Sequence, residues 1–62
     1  MALYRVFLLD SDDKISATEY LFAETDDDAV NKAAALLEDR PHFAGCELWH
    51  QDRMITRTLR KT

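Results

Sequence analysis

Only one stretch of this chain has helical periodicity, and its start is marked by Thr25-Asp26-Asp27-Asp28. Thr25 is a good N-cap, because its hydroxyl accepts a hydrogen bond from the amide three residues on, and Asp28 stands where a capping box places glutamate. The three aspartates also lie at the positive end of the helix dipole, each contributing about 0.3–1 kcal/mol. The acidic run is therefore read as a helix start rather than a metal cluster. Behind it Val30, Ala33, Ala34 and Leu37 fall at i, i+3, i+4 and i+7, which predicts one apolar face, broadened by Ala29 and Leu36. Pro41 cannot continue a helix and biases Arg40 away from helical angles, so the helix is expected to end near Asp39. A single helix of about four turns covers one side of a sheet and leaves the other open.

The remaining segments read as strands. Leu3–Leu9 is rich in aromatic, aliphatic and β-branched residues and runs into the turn-forming Asp10-Ser11-Asp12-Asp13. Tyr4, Val6 and Leu8 point one way and Leu3, Arg5, Phe7 and Leu9 the other, so both faces are apolar. A second strand over Ile15–Ala23 follows, and the short connection makes an antiparallel hairpin. Its odd positions are Ile15, Ala17, Glu19, Leu21 and Ala23; its even positions include Tyr20 and Phe22. After the helix, Cys46–His50 and Met54–Arg60 predict two more strands joined by Gln51-Asp52-Arg53. In the last strand Ile55, Arg57 and Leu59 alternate with Met54, Thr56 and Thr58. The expectation is a single α+β domain over residues 1–62, ordered β-β-α-β-β, with an antiparallel sheet and one helix packed on one face.

Charge divides unevenly along the chain. Residues 1–28 hold Arg5 and Lys14 against eight acids, whereas residues 29–62 hold six cations against four acids, for a net charge of −4. Overall acidity argues against a general nucleic-acid binder, which usually has a pI above about 9. Arg53, Arg57, Arg60 and Lys61 nevertheless form an acid-free C-terminal run. It reads either as an edge strand kept soluble by charge or as an anion contact. The longest apolar runs, Val6–Leu9 and Ala33–Leu37, fall far short of the ~20 residues of a membrane-spanning helix. No basic stretch followed by an apolar core marks a secretory signal, and one cysteine cannot make an intrachain disulfide, so a reduced, cytoplasmic setting is expected.

Few constellations carry chemistry. Gly45 is the only glycine, which excludes the glycine-rich phosphate loops, dinucleotide fingerprints and nucleophile elbows. Asp10-Ser11-Asp12 opens like a calcium loop, but Ile15 and Leu21 occupy the positions that need glycine and a closing carboxylate. His42, Cys46 and His50 are zinc-ligand types spaced by four, yet Pro41 and Gly45 break any helix there and a closed zinc site usually needs a fourth ligand. Cys46 reads as a small buried apolar residue rather than a nucleophile. No catalytic residue, metal or cofactor is assigned.

Short proteins common in alphaproteobacteria form a group that this chain resembles. The shared pattern is Tyr4-Arg5-Val6-Phe7-Leu8-Leu9-Asp10, an acidic-capped Ala/Leu helix over Asp26–Leu37, and Glu47-Leu48-Trp49 followed by spaced Arg53 and Arg57. That group often has glycine after the tryptophan segment, where this chain has Gln51-Asp52. The resemblance implies the β-β-α-β-β order and a cytoplasmic location, and brings no activity, cofactor or catalytic residue.

A 62-residue chain buries only about 60% of its unfolded surface, and small domains without disulfide or metal often gain stability by association. The sequence therefore predicts a non-catalytic interaction or accessory module that self-associates, as a dimer first of all, through a sheet face or edge. Phe7, Tyr20, Phe22 and Trp49 are the candidate interface residues, with Trp49 divided between core packing and interface anchor. An alternative is an anion- or nucleic-acid-binding module using Arg53, Arg57, Arg60 and Lys61. A further alternative is a ligand or catalytic site shared between chains and drawing on Asp10, Glu19, Cys46 or His50. An unidentified second protein is the remaining kind of partner; no membrane contact is expected.

Overall fold

A computed structural model describes residues 1–60. The elements are β1 (Ala2–Leu9), β2 (Ile15–Ala23), α1 (Asp26–Glu38), β3 (Gly45–His50) and β4 (Arg53–Leu59), in the expected β-β-α-β-β order. The four strands form one antiparallel sheet in the order β2-β1-β3-β4, so the two hairpins meet through β1 and β3.

Each connection has a local cause. Between β1 and β2, the Asp10 carboxylate accepts from the amides of Asp12 (2.8 Å) and Lys14 (3.1 Å). This is an aspartate-nucleated turn, closed by Asp13 in the left-handed region at φ 63°. The helix starts as the sequence indicates, with Thr25 Oγ1 accepting from the Asp28 amide at 3.0 Å. Asp28 itself pairs with Lys32 one turn on at 3.4 Å. The β3–β4 connection is two residues long, shorter than the three expected, because Gln51 takes φ 58° and brings His50 opposite Arg53.

The helix lies over the face formed by the even positions of β1, the odd positions of β2 and the even positions of β3. Tyr4, Val6, Leu8, Ala23, Cys46 and Leu48 meet Ala29, Ala33 and Leu37 there, all essentially without solvent contact. This stripe is rotated from the expected one. Ala29 is buried, Val30 and Leu36 flank the core, and Ala34 is exposed. Alanines at 29, 33, 34 and 35 offer nearly equivalent faces, so Leu37 rather than alanine spacing sets the rotation.

The alternation in β4 is also broken. Trp49 pairs with Met54 while Leu48 pairs with Thr56, which leaves Ile55 as an extra residue in a bulge. Ile55 thereby packs against the core, and does not share a face with Arg57 and Leu59. Among the described residues no buried side-chain nitrogen or oxygen lacks a hydrogen-bond partner. No helix among them is long and apolar enough to cross a membrane.

Candidate interaction face

Among the described residues no element covers the second face of the sheet. The strand registers assemble it in rows: Phe22 beside Leu3, then Tyr20, Arg5, Trp49 and Met54, then Thr18, Phe7, Glu47 and Arg57. All four candidate interface residues, Phe7, Tyr20, Phe22 and Trp49, thus lie on one surface. Tyr20 is 62% exposed, Phe22 56%, Leu3 48% and Met54 46%. Leu3 shares strand parity with Phe7 and was legible as a member; Met54 was concealed by the bulge.

Trp49 is on this face, not in the core. Its ring meets Phe7 edge-on at 6.3 Å and 71°, and the two residues occupy the inner strands β3 and β1. The indole Nε1 donates to Glu47 Oε1 at 3.0 Å, and Glu47 Oε2 lies 3.4 Å from Arg57 Nε. Arg5 lies with its guanidinium 5.5 Å from the Phe7 ring centroid and donates to the Gln51 carbonyl. The indole N–H, Glu47, Arg57 and Arg5 are therefore engaged within the chain. Covering the face would strand neither the indole N–H nor the Glu47 carboxylate.

The last row departs from this pattern. Ile15, Leu9, Gly45 and Leu59 stand in register across the sheet. Leu9 is 1% exposed yet lies outside the cluster under the helix. Leu59 lies against Gly45, so the inner pair Leu9 and Gly45 is covered, while Ile15 at 56% and Leu59 at 48% on the two edges stay as exposed as Phe22 and Leu3.

Among the described residues, Arg53, Arg57 and Arg60 do not form a patch. Arg53 lies on the helix side, 3.4 Å from Asp26. Arg57 lies on the open face with Glu47, and reaches toward Asp13 at 3.9 Å. Arg60 donates to three backbone carbonyls, Leu37 (2.6 Å), Phe43 (3.1 Å) and Arg40 (3.3 Å). It thereby supplies the positive charge that the last turn of α1 lacks. Lys61 lies outside the described residues.

A second polar group joins the helix start to the sheet. Tyr4 Oη donates to Asp26 Oδ1 at 2.7 Å, and the Tyr4 ring stacks on His50 at 4.7 Å. The Tyr4 hydrogen bond, with help from Arg53, holds the Asp26 carboxyl below its ordinary range. The same bond pushes the Tyr4 phenol up. The arrangement ties α1 to β1 and to the β3–β4 hairpin. His42 instead packs at a 40° tilt against Phe43, ring centroids 4.3 Å apart, and Cys46 is buried beneath the helix, where desolvation raises its thiol pKa. The three zinc-ligand types are thus kept apart. Among the described residues no group of three or more His, Cys, Asp or Glu is placed to hold a metal. Asp10 is occupied in its turn, and Glu19 lies on the helix side of β2.

One shallow cavity of about 420 Å³ opens where β1 runs past the end of β3, lined by Ala2, Leu3, Arg5, Tyr20, His50 and Gln51. Comparison with family models, curated proteins and solved structures finds no match to this chain.

Proposed function

We propose that this chain is a non-catalytic interaction or accessory module of the bacterial cytoplasm that acts as a self-associating unit, in the first instance a homodimer. The observation that carries the reading is the second sheet face, which bears Tyr20, Phe22, Leu3 and Met54 at 46–62% exposure around Phe7 and Trp49. Domains are built from packed layers, and a sheet with only one covered face leaves apolar surface in water. The cytoplasmic setting rests on the sequence, through its single cysteine and the resemblance stated above.

Mass in solution, measured by light scattering coupled to size exclusion across protein and salt concentration, tests the reading. A mass of twice 7.2 kDa that persists into the micromolar range is expected. A constant 7.2 kDa at millimolar protein would overturn self-association. It would leave this face to a different protein, to an oligonucleotide, or to a ligand held between chains.

A further inference from the structure

Self-association could use the open face or either edge strand, and the three modes differ in area, charge and closure. The molecule measures 32 × 20 × 15 Å between Cα extremes, so its broad face projects roughly 640 Å². Two such faces together bury at most about 1,280 Å², close to the ~1,200 Å² floor of stable interfaces. The longer edge, β2, has nine residues. At ~3.3 Å per residue and a sheet about 10 Å thick, it offers roughly 300 Å². Area favours the face by about a factor of two.

Charge points the same way. Symmetric antiparallel pairing along the whole of β2 would centre on Glu19 and set it opposite Glu19 of the second copy. Like charges directly opposite destabilise such pairs. Pairing through β4 would use a still shorter edge of seven residues. Joining β2 to β4 matches opposite charges but runs head to tail, which gives a ring or an open filament and not a two-fold dimer. On the face, by contrast, Glu47 and Arg57 neutralise one another, the aspartates that open α1 lie on the far side of the sheet, and the one remaining cation, Arg5, is held by the Gln51 carbonyl and the Phe7 ring.

We infer that the occupant of this face is a second copy of the chain, stacked sheet to sheet with the helices outermost and both edge strands free. This inference rests on the self-association proposed above and specifies its geometry. Phe7 and Trp49, on the two inner strands, take the centre, where interface anchors concentrate. Tyr20 and Phe22 flank them. The outcome is a four-layer helix–sheet–sheet–helix body with sheets about 10 Å apart.

Trp49 is the only tryptophan, so its emission reports the centre of the face. Emission is followed on dilution beside mass, and amide exchange is measured at the mid-strand residues of β2 and β4. Face stacking requires a red shift of Trp49 at the concentration where mass halves, with the outward-facing amides of both edges exchanging freely. Tyr20→Glu, at a 62% exposed site, is expected to raise that concentration at least tenfold with an unchanged circular dichroism spectrum. Raising salt from 50 mM to 1 M is expected to change it less than tenfold. A dimer with protected edge amides and a silent Trp49 overturns face stacking and leaves self-association standing. A monomer at every concentration overturns both. A mass increase only on adding a dT10 oligonucleotide, lost steeply with salt, replaces the second copy with nucleic acid.

Discussion

Gly45 is the sharpest place to test the packing of the sheet. Its φ is not in the left-handed region, so no turn requires a glycine there. Space does. A Cβ at this position would sit 2.5 Å from the Thr58 carbonyl oxygen, 3.0 Å from Leu59 Cδ2 and 3.2 Å from Leu59 Cα. The leucine methyl can rotate away, whereas the carbonyl and the Cα belong to β4 and move only if the strand moves. Overpacking of this kind costs about 1–3 kcal/mol. Replacing a strand glycine recovers about 0.5–1 kcal/mol of backbone entropy. The net expectation for Gly45→Ala is destabilisation by roughly 1–2 kcal/mol. In a domain of this size each kcal/mol moves Tm by ~4–8 °C, so the midpoint should fall by roughly 5–15 °C.

The assay is thermal denaturation followed by far-ultraviolet circular dichroism, with both proteins at one concentration, because association shifts apparent stability by mass action. Gly45→Val should fall further than Gly45→Ala, since its two methyls face the same wall. A Tm for Gly45→Ala equal to or above that of the parent would refute the reasoning. It would mean that β4 yields at this pair without loss, and that Leu59 does not depend on the glycine for its place.

Other positions give independent checks. Arg60→Ala should cost about 2 kcal/mol in chemical denaturation, since three backbone carbonyls lose a charged donor, and Arg60→Lys should recover only part of it. Gln51→Gly should stabilise by about 1 kcal/mol, by relieving a left-handed backbone at a residue with a Cβ; a loss would indicate that the Gln51 side chain holds the turn. The lowered pKa of Asp26 contributes stability that is present above the unfolded carboxylate value and disappears as pH falls through the folded one. The raised pKa of Tyr4 contributes stability that is present below the unfolded phenol value and is lost as pH rises through the folded one. Tyr4→Phe should therefore flatten the stability profile at both its acid and alkaline ends. Cys46, protonated and buried, should react with a thiol reagent in urea far faster than in the native protein.

Much of the architecture was legible because it rests on near-neighbour patterns. Alternation in β1 and β2, the Thr25 cap and the Pro41 stop each act within a few residues, and each appears where the sequence puts it. The open face was legible only in halves. Parity grouped Tyr20 with Phe22, and Phe7 with Leu9, but could not say whether the two pairs shared a side. The Asp10–Lys14 turn decides this by setting Arg5 against Tyr20, and it also places Leu9 beside Ile15 at an irregularity in the register. A bulge adds one residue to one strand, so it reverses parity from that point on. This is why Ile55 turned inward and Met54 outward against their spacing.

The basic C-terminal run was legible as charge on an edge strand, but its partners were not. A charge run reads as a patch only while its side chains are free and share a side. Arg53 and Arg57 flank the bulge, which places one with Asp26 on the helix side and the other with Glu47 on the open face. Arg60 finds partners that no sequence pattern marks, because backbone carbonyls at the end of a helix look alike whatever residues carry them. The missing cation in the last turn of α1 was visible, but its replacement comes from 23 residues beyond Leu37, in the segment that follows β4. Two of the cations offered to an external anion are thus used to fasten the helix at its two ends, Arg53 at the start and Arg60 at the finish. The same engagement leaves Arg5 as the one cation in the rows of the opposite face without a carboxylate partner, and a single cation among exposed aromatics suits another apolar surface better than a phosphate backbone.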